Sequence, residues 1–435
     1  MWPAVMSTIV RSSNDLAHDL HPGGAYCRGM TGTTEPLFFN PLQDGYIDDP
    51  YSHFAEMRDA DPVHLTLMNQ WLLFRYDDVS RLLKDPTLSV DADHIEIGDD
   101  ARRTAMEEAY GEVPKNLSML NVDPPDHTRL RRLVMKAFTP STIEGLRPMV
   151  SELVDAALDT VEARGRGDLV AELAFPLPFD VIVRMLGMPE SDRDNVARWS
   201  AALVKTLDPI LTDDEVAAAA DADRKMDQLI EEVIEWKRTH PADDLMTALI
   251  AAEEDGDRLS TRELKDQVSL LFVAGHETTV NLIGTGLFEL LRHPDQLAKL
   301  RDDPSLDANA VDELLRFVSP VQMSRRITLH DIEFRGRTIP KGMFVLAGLA
   351  SANRDPDKWG PTAEALDVAR SGANQHVSFG SGVHYCLGAS LARLEAQVAI
   401  GSTIRRFPRL RVDGSPAWNG RINLRGLESL PVRID

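Results

Sequence analysis

The chain has 435 residues, 43% of them hydrophobic; this is enough for a large core, and the length admits one large domain or several. Lys and Arg number 47 against 69 Asp and Glu, a net charge of −22, which argues against nucleic acid or an anionic membrane as the main partner. Two cysteines, Cys27 and Cys386, exclude a disulfide framework and a four-cysteine zinc or iron–sulfur site, and they suit a reducing compartment.

Residues 1–35 read as a flexible extension without the basic and apolar regions of a signal peptide. Residues 51–59 are predicted as a helix, 63–67 and 71–75 as a hairpin, and 77–83 as a further helix. The stretch 85–122 is irregular and acidic, with patches of helix. Asp123-Pro124-Pro125-Asp126 then breaks the chain before a basic helix over 127–138. Helices are predicted over 140–164, 170–187, 191–207, 213–239 and 243–254. Ser260-Thr261-Arg262-Glu263 is a capping box opening a helix expected to run unbroken to Arg292, where His293-Pro294 stops it. That is about 32 residues, or roughly 48 Å. More helices follow to Val318. Strand-like pieces appear at 332–334, 337–339, 343–349 and 432–434. The longest apolar-rich stretch, 268–291, is interrupted by His276, Glu277, Asn281 and Glu289, so no membrane span is expected. The reading is a mainly α chain with small β-sheets, in a single domain.

One segment stands out chemically. In Phe379-Gly380-Ser381-Gly382-Val383-His384-Tyr385-Cys386-Leu387-Gly388, a cysteine lies between a glycine-rich turn and a helix marked by Leu387, Leu391, Leu394 and Val398. At a helix N-terminus, free N–H groups and the dipole favour a thiolate and lower the thiol pKa. Gly380, Gly382 and Gly388 let backbone turn tightly and approach a flat ligand. This suits a thiolate holding a large metal cofactor. An isolated cysteine is more often a core residue, but here the flanking pattern argues otherwise.

A second segment, Ala274-Gly275-His276-Glu277-Thr278-Thr279, falls inside the long helix. Glycine there costs about 1 kcal/mol relative to alanine, and threonine hydroxyls bond back to the preceding turn and bend helices. One reading is a kink with satisfied polar groups. A His-Glu-x-x-His zinc site is excluded, because position 280 is Val280.

The cysteine segment resembles the haem-binding loop of the cytochrome P450 family, Phe-Gly-x-Gly-x-His-x-Cys-x-Gly followed by x-x-Leu-Ala, and fills every fixed position through Leu391-Ala392. The resemblance extends from about residue 40 to 434. It implies a single-domain cytochrome P450 fold over 36–435, with the long helix above the haem. It makes Cys386 the axial ligand of haem b, with Phe379, Gly380, Gly388 and Ala274 around the cofactor. The long-helix segment resembles the family's Ala/Gly-Gly-x-Asp/Glu-Thr motif. By that match Gly275 opens a groove for dioxygen, Thr278 hydrogen-bonds activated dioxygen and Glu277 relays protons, while His276 fills a variable position. His127, Arg131, Arg326 and His384 fall at the positions that hold the haem propionates. Glu313 and Arg316 match the family's Glu-x-x-Arg pair, which locks with an arginine further on; Arg370 is the candidate and Arg354 the second choice. This set is structural. Trp359 and Leu366 stand where the family usually has phenylalanine.

By the same likeness, Met119, Leu120, Val321, Met323 and Leu427 line a substrate pocket whose apolar character favours a hydrophobic small molecule. Azole-type inhibitors are expected to ligate the iron. No dinucleotide fingerprint or iron–sulfur cysteine set is present, so electrons are expected from a separate ferredoxin and its reductase. Arg129, Arg132, Lys136 and Arg393 are candidates for a basic docking patch, or are ordinary solvated charges. The implied function is a soluble, cytoplasmic haem-thiolate monooxygenase. A haem-binding sensor or carrier without turnover and a peroxide-driven peroxygenase are the alternatives.

Overall fold

Helices dominate the computed structural model, which describes residues 38–435 except 67, 97–115, 137, 190–191, 209–211 and 255–256. The expected extension at 1–35 and half of the irregular acidic stretch, 97–115, lie outside the described residues. Helix α1 (Pro50–Ala60) starts where the Asp49 side chain accepts the Tyr51 N–H. Strands β1 (Val63–Leu65) and β2 (Trp71–Leu73) form the expected antiparallel hairpin. Helix α2 (Tyr76–Lys84), strand β3 (Leu88–Ser89) and helix α3 (Asp126–Met135) follow.

Prolines divide two helices that the hydrophobic pattern reads as continuous. Residues 140–164 form α4 (Pro140–Gly145) and α5 (Arg147–Arg164). Pro148 lacks the N–H that a continuous ladder would need. After β4 (Arg166–Asp168), Val170–Ala174 is a widened π-type turn, and α6 (Pro176–Leu186) begins only at Pro176. Helices α7 (Arg193–Val204), α8 (Asp213–Thr239) and α9 (Leu245–Ala251) lead to the centre. The Ser260–Glu263 capping box is present, but the expected single long helix is two: α10 (Thr261–Gly275) and α11 (Glu277–Arg292), parted at His276.

Helices α12 (Pro294–Asp302) and α13 (Asp307–Val318) precede β5 (Met323–Thr328), β6 (Ile332–Phe334), β7 (Arg337–Ile339) and β8 (Phe344–Gly348). Helix α14 (Ala389–Arg406) and strands β9 (Arg411–Val412), β10 (Ala417–Trp418), β11 (Leu427–Ser429) and β12 (Pro431–Arg433) close the chain. The main sheet runs β1-β2-β8-β5-β3. Strand β5 has no counterpart in the sequence reading, since Ser324, Arg325 and Arg326 hide its alternation; it pairs with β8 from Met323↔Gly348 to Ile327↔Phe344. Buried Ile283, Leu287 and Leu290 of α11 share one core with Leu314 of α13 and with Leu394 and Ile400 of α14. Among the described residues no helix is long and apolar enough to cross a membrane.

A buried ionic set fixes the approach to the cysteine loop. Arg316 donates to both carboxylate oxygens of Glu313, at 2.7 and 2.8 Å. Arg370 Nε donates to the same two oxygens at 3.0 and 3.1 Å. The remaining guanidinium N–H groups reach the carbonyls of Asn353, Ala363, Ala365 and Thr362. Arg370, not Arg354, therefore closes the set; Arg354 donates to the Phe317 carbonyl and to Glu364. Trp359 fits its position by donating to the Ala352 carbonyl at 3.1 Å and lying under the Arg316 guanidinium. Removing the shared carboxylate leaves two buried guanidinium groups uncompensated. Glu313→Ala is expected to cost about 3–5 kcal/mol in urea unfolding followed by circular dichroism, and an effect below about 1 kcal/mol would contradict this account.

Candidate active site

The cysteine loop turns on two left-handed glycines. Gly380 has φ +69° and Gly382 φ +72°, a region other residues rarely adopt. A Cβ at Gly382 would also lie 2.6 Å from the Leu83 carbonyl oxygen. The turn is closed by the Cys386 N–H donating to the Phe379 carbonyl at 2.9 Å. Helix α14 starts at Ala389 with Gly388 as its N-cap, and the sulfur accepts from the Gly388 and Ala389 N–H groups. The expected drop in thiol pKa is not what results. Burial pushes the Cys386 thiol up, and the two N–H groups with Arg131 and Arg393 pull it only partly back. Yet part of the residue is exposed, so the sulfur is open to a ligand. A coordinated metal ion removes the thiol proton outright.

Around this loop the structure gathers four of the expected cations. The His127 and His384 rings are 4.2 Å apart. Arg131 donates to the Tyr385 carbonyl at 2.7 Å, and Arg326 donates to the Leu83 carbonyl at 3.3 Å. Arg326 and His384 also line one cleft with Leu83, Lys84, Pro124 and Val383. Burial pushes Arg326 down to about 10. It pushes His384 down to about 3, helped by the positive charge of His127, Arg326, Arg131 and Arg325. Both ring nitrogens of buried His127 lack a hydrogen-bond partner among the described residues. None of these four side chains has a carboxylate in ion-pair contact among the described residues. Two arginines and two desolvated imidazoles without a carboxylate partner call for anionic acceptors, and the two propionates of a haem fit them. At Gly388 a Cβ would meet nothing within 4 Å, which leaves room for a flat ring beside the sulfur. The donor set therefore fits haem with Cys386 as axial ligand and with His127, Arg131, Arg326 and His384 toward the propionates. Arg325 was missed. It is half-buried, its pKa is pushed down to about 9 by burial, and it donates to Asn121 at 3.0 Å; no motif marks it in the sequence.

The helix break forms a second cluster. The Thr278 hydroxyl donates to the Ala274 carbonyl at 3.0 Å and that of Thr279 to the Gly275 carbonyl at 3.3 Å, so the acceptors of the regular ladder are diverted. A Cβ at Gly275 would lie 2.8 Å from Ile182 Cδ1 of α6; the space the glycine leaves is used by Ile182. His276 is buried, bonded through Nε2 to the Phe175 carbonyl at 3.0 Å, and packed edge-on against Phe175 and Phe179. Glu277 is buried and lies 3.0 Å from Arg421 Nη1. Burial pushes its carboxyl up, while Arg421 and the Asn419 side chain pull it down. No sequence signal linked Asn419 or Arg421 to this site. Ala274 is exposed and Thr278 partly so, although both stand on a central helix.

Of the expected pocket residues, Leu120 is 45% exposed and Met119 buried. Gln267 of α10 clasps their segment, accepting from the Met119 N–H and donating to the Leu117 carbonyl, both at 3.1 Å. Val321 forms a β-bridge to Leu424. Met323 is buried among Phe54, Phe74 and Ile422, and Leu427 in the main core. The expected basic patch loses two members. Arg129 is paired with Asp257 and Glu263, and Arg393 with Asp312 at 2.7 Å while its guanidinium covers the Phe379 ring.

A cysteine at the start of a helix, buried cations facing it and a broken helix with an acid and a hydroxyl define a haem-thiolate oxygenase site. The family model for cytochrome P450 matches residues 90–417. Cytochrome P450 107B1 of Saccharopolyspora erythraea is 44% identical over 90% of this chain and 96% of its own. Vitamin D(3) 25-hydroxylase of Pseudonocardia autotrophica is 42% identical over 93% and 98%. The solved structure of PksS, a cytochrome P450 of the Bacillus subtilis bacillaene polyketide synthase, superposes with a TM-score of 0.82 at 37% identity, covering 92% of this chain and all of that one. The chain belongs to the cytochrome P450 family. It is a haem-thiolate monooxygenase that inserts one atom of dioxygen into a hydrophobic small molecule with electrons from separate redox partners.

The break itself carries a pH dependence. Burial pushes His276 down to about 4 from an ordinary 6.5. As pH falls the unfolded chain binds this proton first, so the contribution is complete above pH 6.5 and declines toward pH 4. Between pH 7 and pH 5 the loss is about 2 kcal/mol from this group alone. His276→Gln is expected to remove that part of the acid sensitivity in urea unfolding at the two pH values.

Proposed function

We propose that the enzyme oxidises an apolar substrate on haem b held by Cys386, with Thr278 hydrogen-bonding the bound oxygen, Glu277 relaying protons and a separate ferredoxin and reductase supplying electrons, in the cytoplasm. The observation that carries this reading is the Cys386 sulfur at the start of α14, favoured as an anion by two N–H groups, beside Arg326 and His384, neither of which has a carboxylate in ion-pair contact among the described residues. Bound haem supplies dioxygen activation, and the thiolate's electron density favours O–O cleavage.

The protein's share is proton delivery and exclusion of water. The Thr278 hydroxyl proton is committed to the Ala274 carbonyl, so its oxygen is left to accept from a protonated ligand in the cleft. Glu277, adjacent in sequence and buried, has a carboxyl whose affinity for a proton is raised by burial and restrained by Arg421. Such a group gives up a proton inward and regains one from water, the requirement for general acid catalysis near neutral pH. Leu120 supplies exposed apolar surface beside Met119, in keeping with a relative named for hydroxylating vitamin D(3). For electron entry, α3 exposes Arg132, Met135 and Lys136, and the cysteine loop exposes Val383 and Tyr385. A basic rim around apolar side chains suits an acidic ferredoxin. Azole-type inhibitors are expected to displace the sixth ligand.

The deciding measurement is the absorption spectrum of the dithionite-reduced protein under carbon monoxide. A strongly red-shifted Soret band is expected; an unshifted one would mean a protonated thiol or another ligand. Thr278→Ala is expected to keep that spectrum and the spin-state shift with an apolar ligand, while product per reducing equivalent falls at least about tenfold in favour of hydrogen peroxide. Unchanged coupling would remove Thr278 from the relay. Arg132→Glu with Lys136→Glu is expected to slow ferredoxin-driven turnover about tenfold and spare peroxide-driven turnover, and equal losses in both assays would argue against docking there.

A further inference from the structure

The segment 419–426, between β10 and β11, reaches the helix break and is held from four sides. Within itself, Asn419 accepts the Arg421 N–H at 3.1 Å and donates to the Leu424 carbonyl at 2.9 Å. From α11, Asn281 donates to the same Leu424 carbonyl at 3.1 Å. From β5, the Met323 N–H donates to the Asn423 side chain at 2.9 Å. From the end of α7, Asp208 accepts the Asn423 N–H at 2.8 Å, and Asn423 donates to the Leu207 carbonyl at 3.3 Å. Backbone held this firmly delivers one cation, Arg421, to a fixed place.

Arg421 is mostly buried, at 15% side-chain exposure, and its Nη1 lies 3.0 Å from Glu277 Oε1. The contact is an ion pair rather than an aligned hydrogen bond, since this N–H finds no acceptor in line among the described residues. The same guanidinium acts on a second acid. Burial pushes the Asp208 carboxyl up to about 6, and the Asn423 N–H and Arg421 draw it back. Asp208, which accepts the Asn423 N–H two residues from Arg421, thus stands beside the same segment.

We propose that Arg421 is the positioning residue of Glu277, holding its carboxylate at the helix break. This rests on reading Glu277 as the proton-relay acid. In each cycle Glu277 gives its carboxyl proton inward, becomes a carboxylate against Arg421, and is reprotonated by water; Arg421 keeps its own protons throughout. The charged and titratable groups facing Glu277 are Arg421 with neutral Asn419 from the hairpin segment, Asp208 across Arg421, and His276 at its own helix boundary. His276 stays neutral above about pH 4, and Asp180 beyond it is engaged by Arg193.

The test reads the Glu277 carboxyl directly. Infrared difference spectra of the ferrous carbon monoxide complex, against Glu277→Gln, give the pH at which the protonated carboxyl band of Glu277 disappears. An opposite charge at this range lowers a carboxyl pKa by about 1–3 units. Arg421→Gln is therefore expected to move the midpoint upward by about one unit or more, and Arg421→Lys to restore most of it. Asp208→Asn retains an acceptor for the Asn423 N–H and removes one negative charge beside the segment that carries Arg421; it is expected to move the midpoint downward, a sign that a general loosening of the fold does not produce. The peroxide released per dioxygen consumed, with a surrogate ferredoxin and reductase and no organic substrate, is followed in parallel and should shift its pH profile in the same directions. A midpoint unmoved in Arg421→Gln, or in Asp208→Asn should the first variant fail to hold haem, overturns the inference and leaves the relay reading intact. A Glu277→Gln enzyme with the unaltered peroxide fraction overturns the relay reading itself.

Discussion

Burial of like charge is the constraint around which this molecule is arranged. His127 and Arg131 come from α3, Arg325 and Arg326 from β5, and His384 from the cysteine loop, three parts of the chain remote from one another. Each loses hydration where they meet, and His127, His384 and Arg325 are further disfavoured as cations by their neighbours. Hydrophobic packing alone gives no reason to assemble them. A dianionic ring with a metal centre does, since its carboxylates answer the cations and its iron answers a thiolate that burial otherwise discourages. Cofactor binding and folding are therefore linked, with the gain from binding added to the stability of the assembled chain.

The cations would be useless if the sulfur wandered, and a polar lattice under the loop fixes it. Arg316, already bound to Glu313, donates to the Asn353 carbonyl. The Asn353 side chain accepts the Val377 N–H and donates to the hydroxyls of Ser319 and Ser378 at 2.8 Å each. Ser378 in turn donates to the Leu315 carbonyl. The loop thus leaves α13 by an unbroken hydrogen-bonded path to Phe379, from which the two left-handed glycines aim Cys386 at the start of α14. Because every member is buried, the lattice is strong only if complete, which is why a carboxylate far from the iron matters to it.

Much of this was legible in the sequence, for local reasons. Glycine spacing announced the Cys386 turn, the Ser260–Glu263 box announced α10, and residues 213–239 and 332–334 carried clean periodicities. What was not legible depended on contacts between distant segments. Strand β5 is hidden by the polar residues that place Arg325 and Arg326 in the site. The pairing of Arg393 with Asp312 and of Arg129 with Glu263 turned two apparent surface charges inward. Arg421 lies in a stretch with no motif, and only the hairpin that carries it brings it to Glu277. The thiol pKa went the other way from the helix-terminus argument because sequence shows the N–H groups and not the depth of burial around them.

The broken helix shows why these distant contacts matter to the chemistry. A continuous helix would direct residues 274 and 278 to one face and 277 to a neighbouring one, with all three set by a single axis. Ile182 packed against Gly275, His276 tied to the Phe175 carbonyl and two hydroxyls bonded backward accompany the break between α10 and α11. Ala274 and Thr278 remain toward the cleft, whereas Glu277 is buried against Arg421. The break therefore separates an oxygen-facing hydroxyl from a proton-holding carboxylate while keeping them adjacent along the chain. On the proposed relay, that arrangement would let protons enter from the hairpin side without opening the cleft to water, and water in the cleft is what a monooxygenase must exclude for the oxygen to reach carbon.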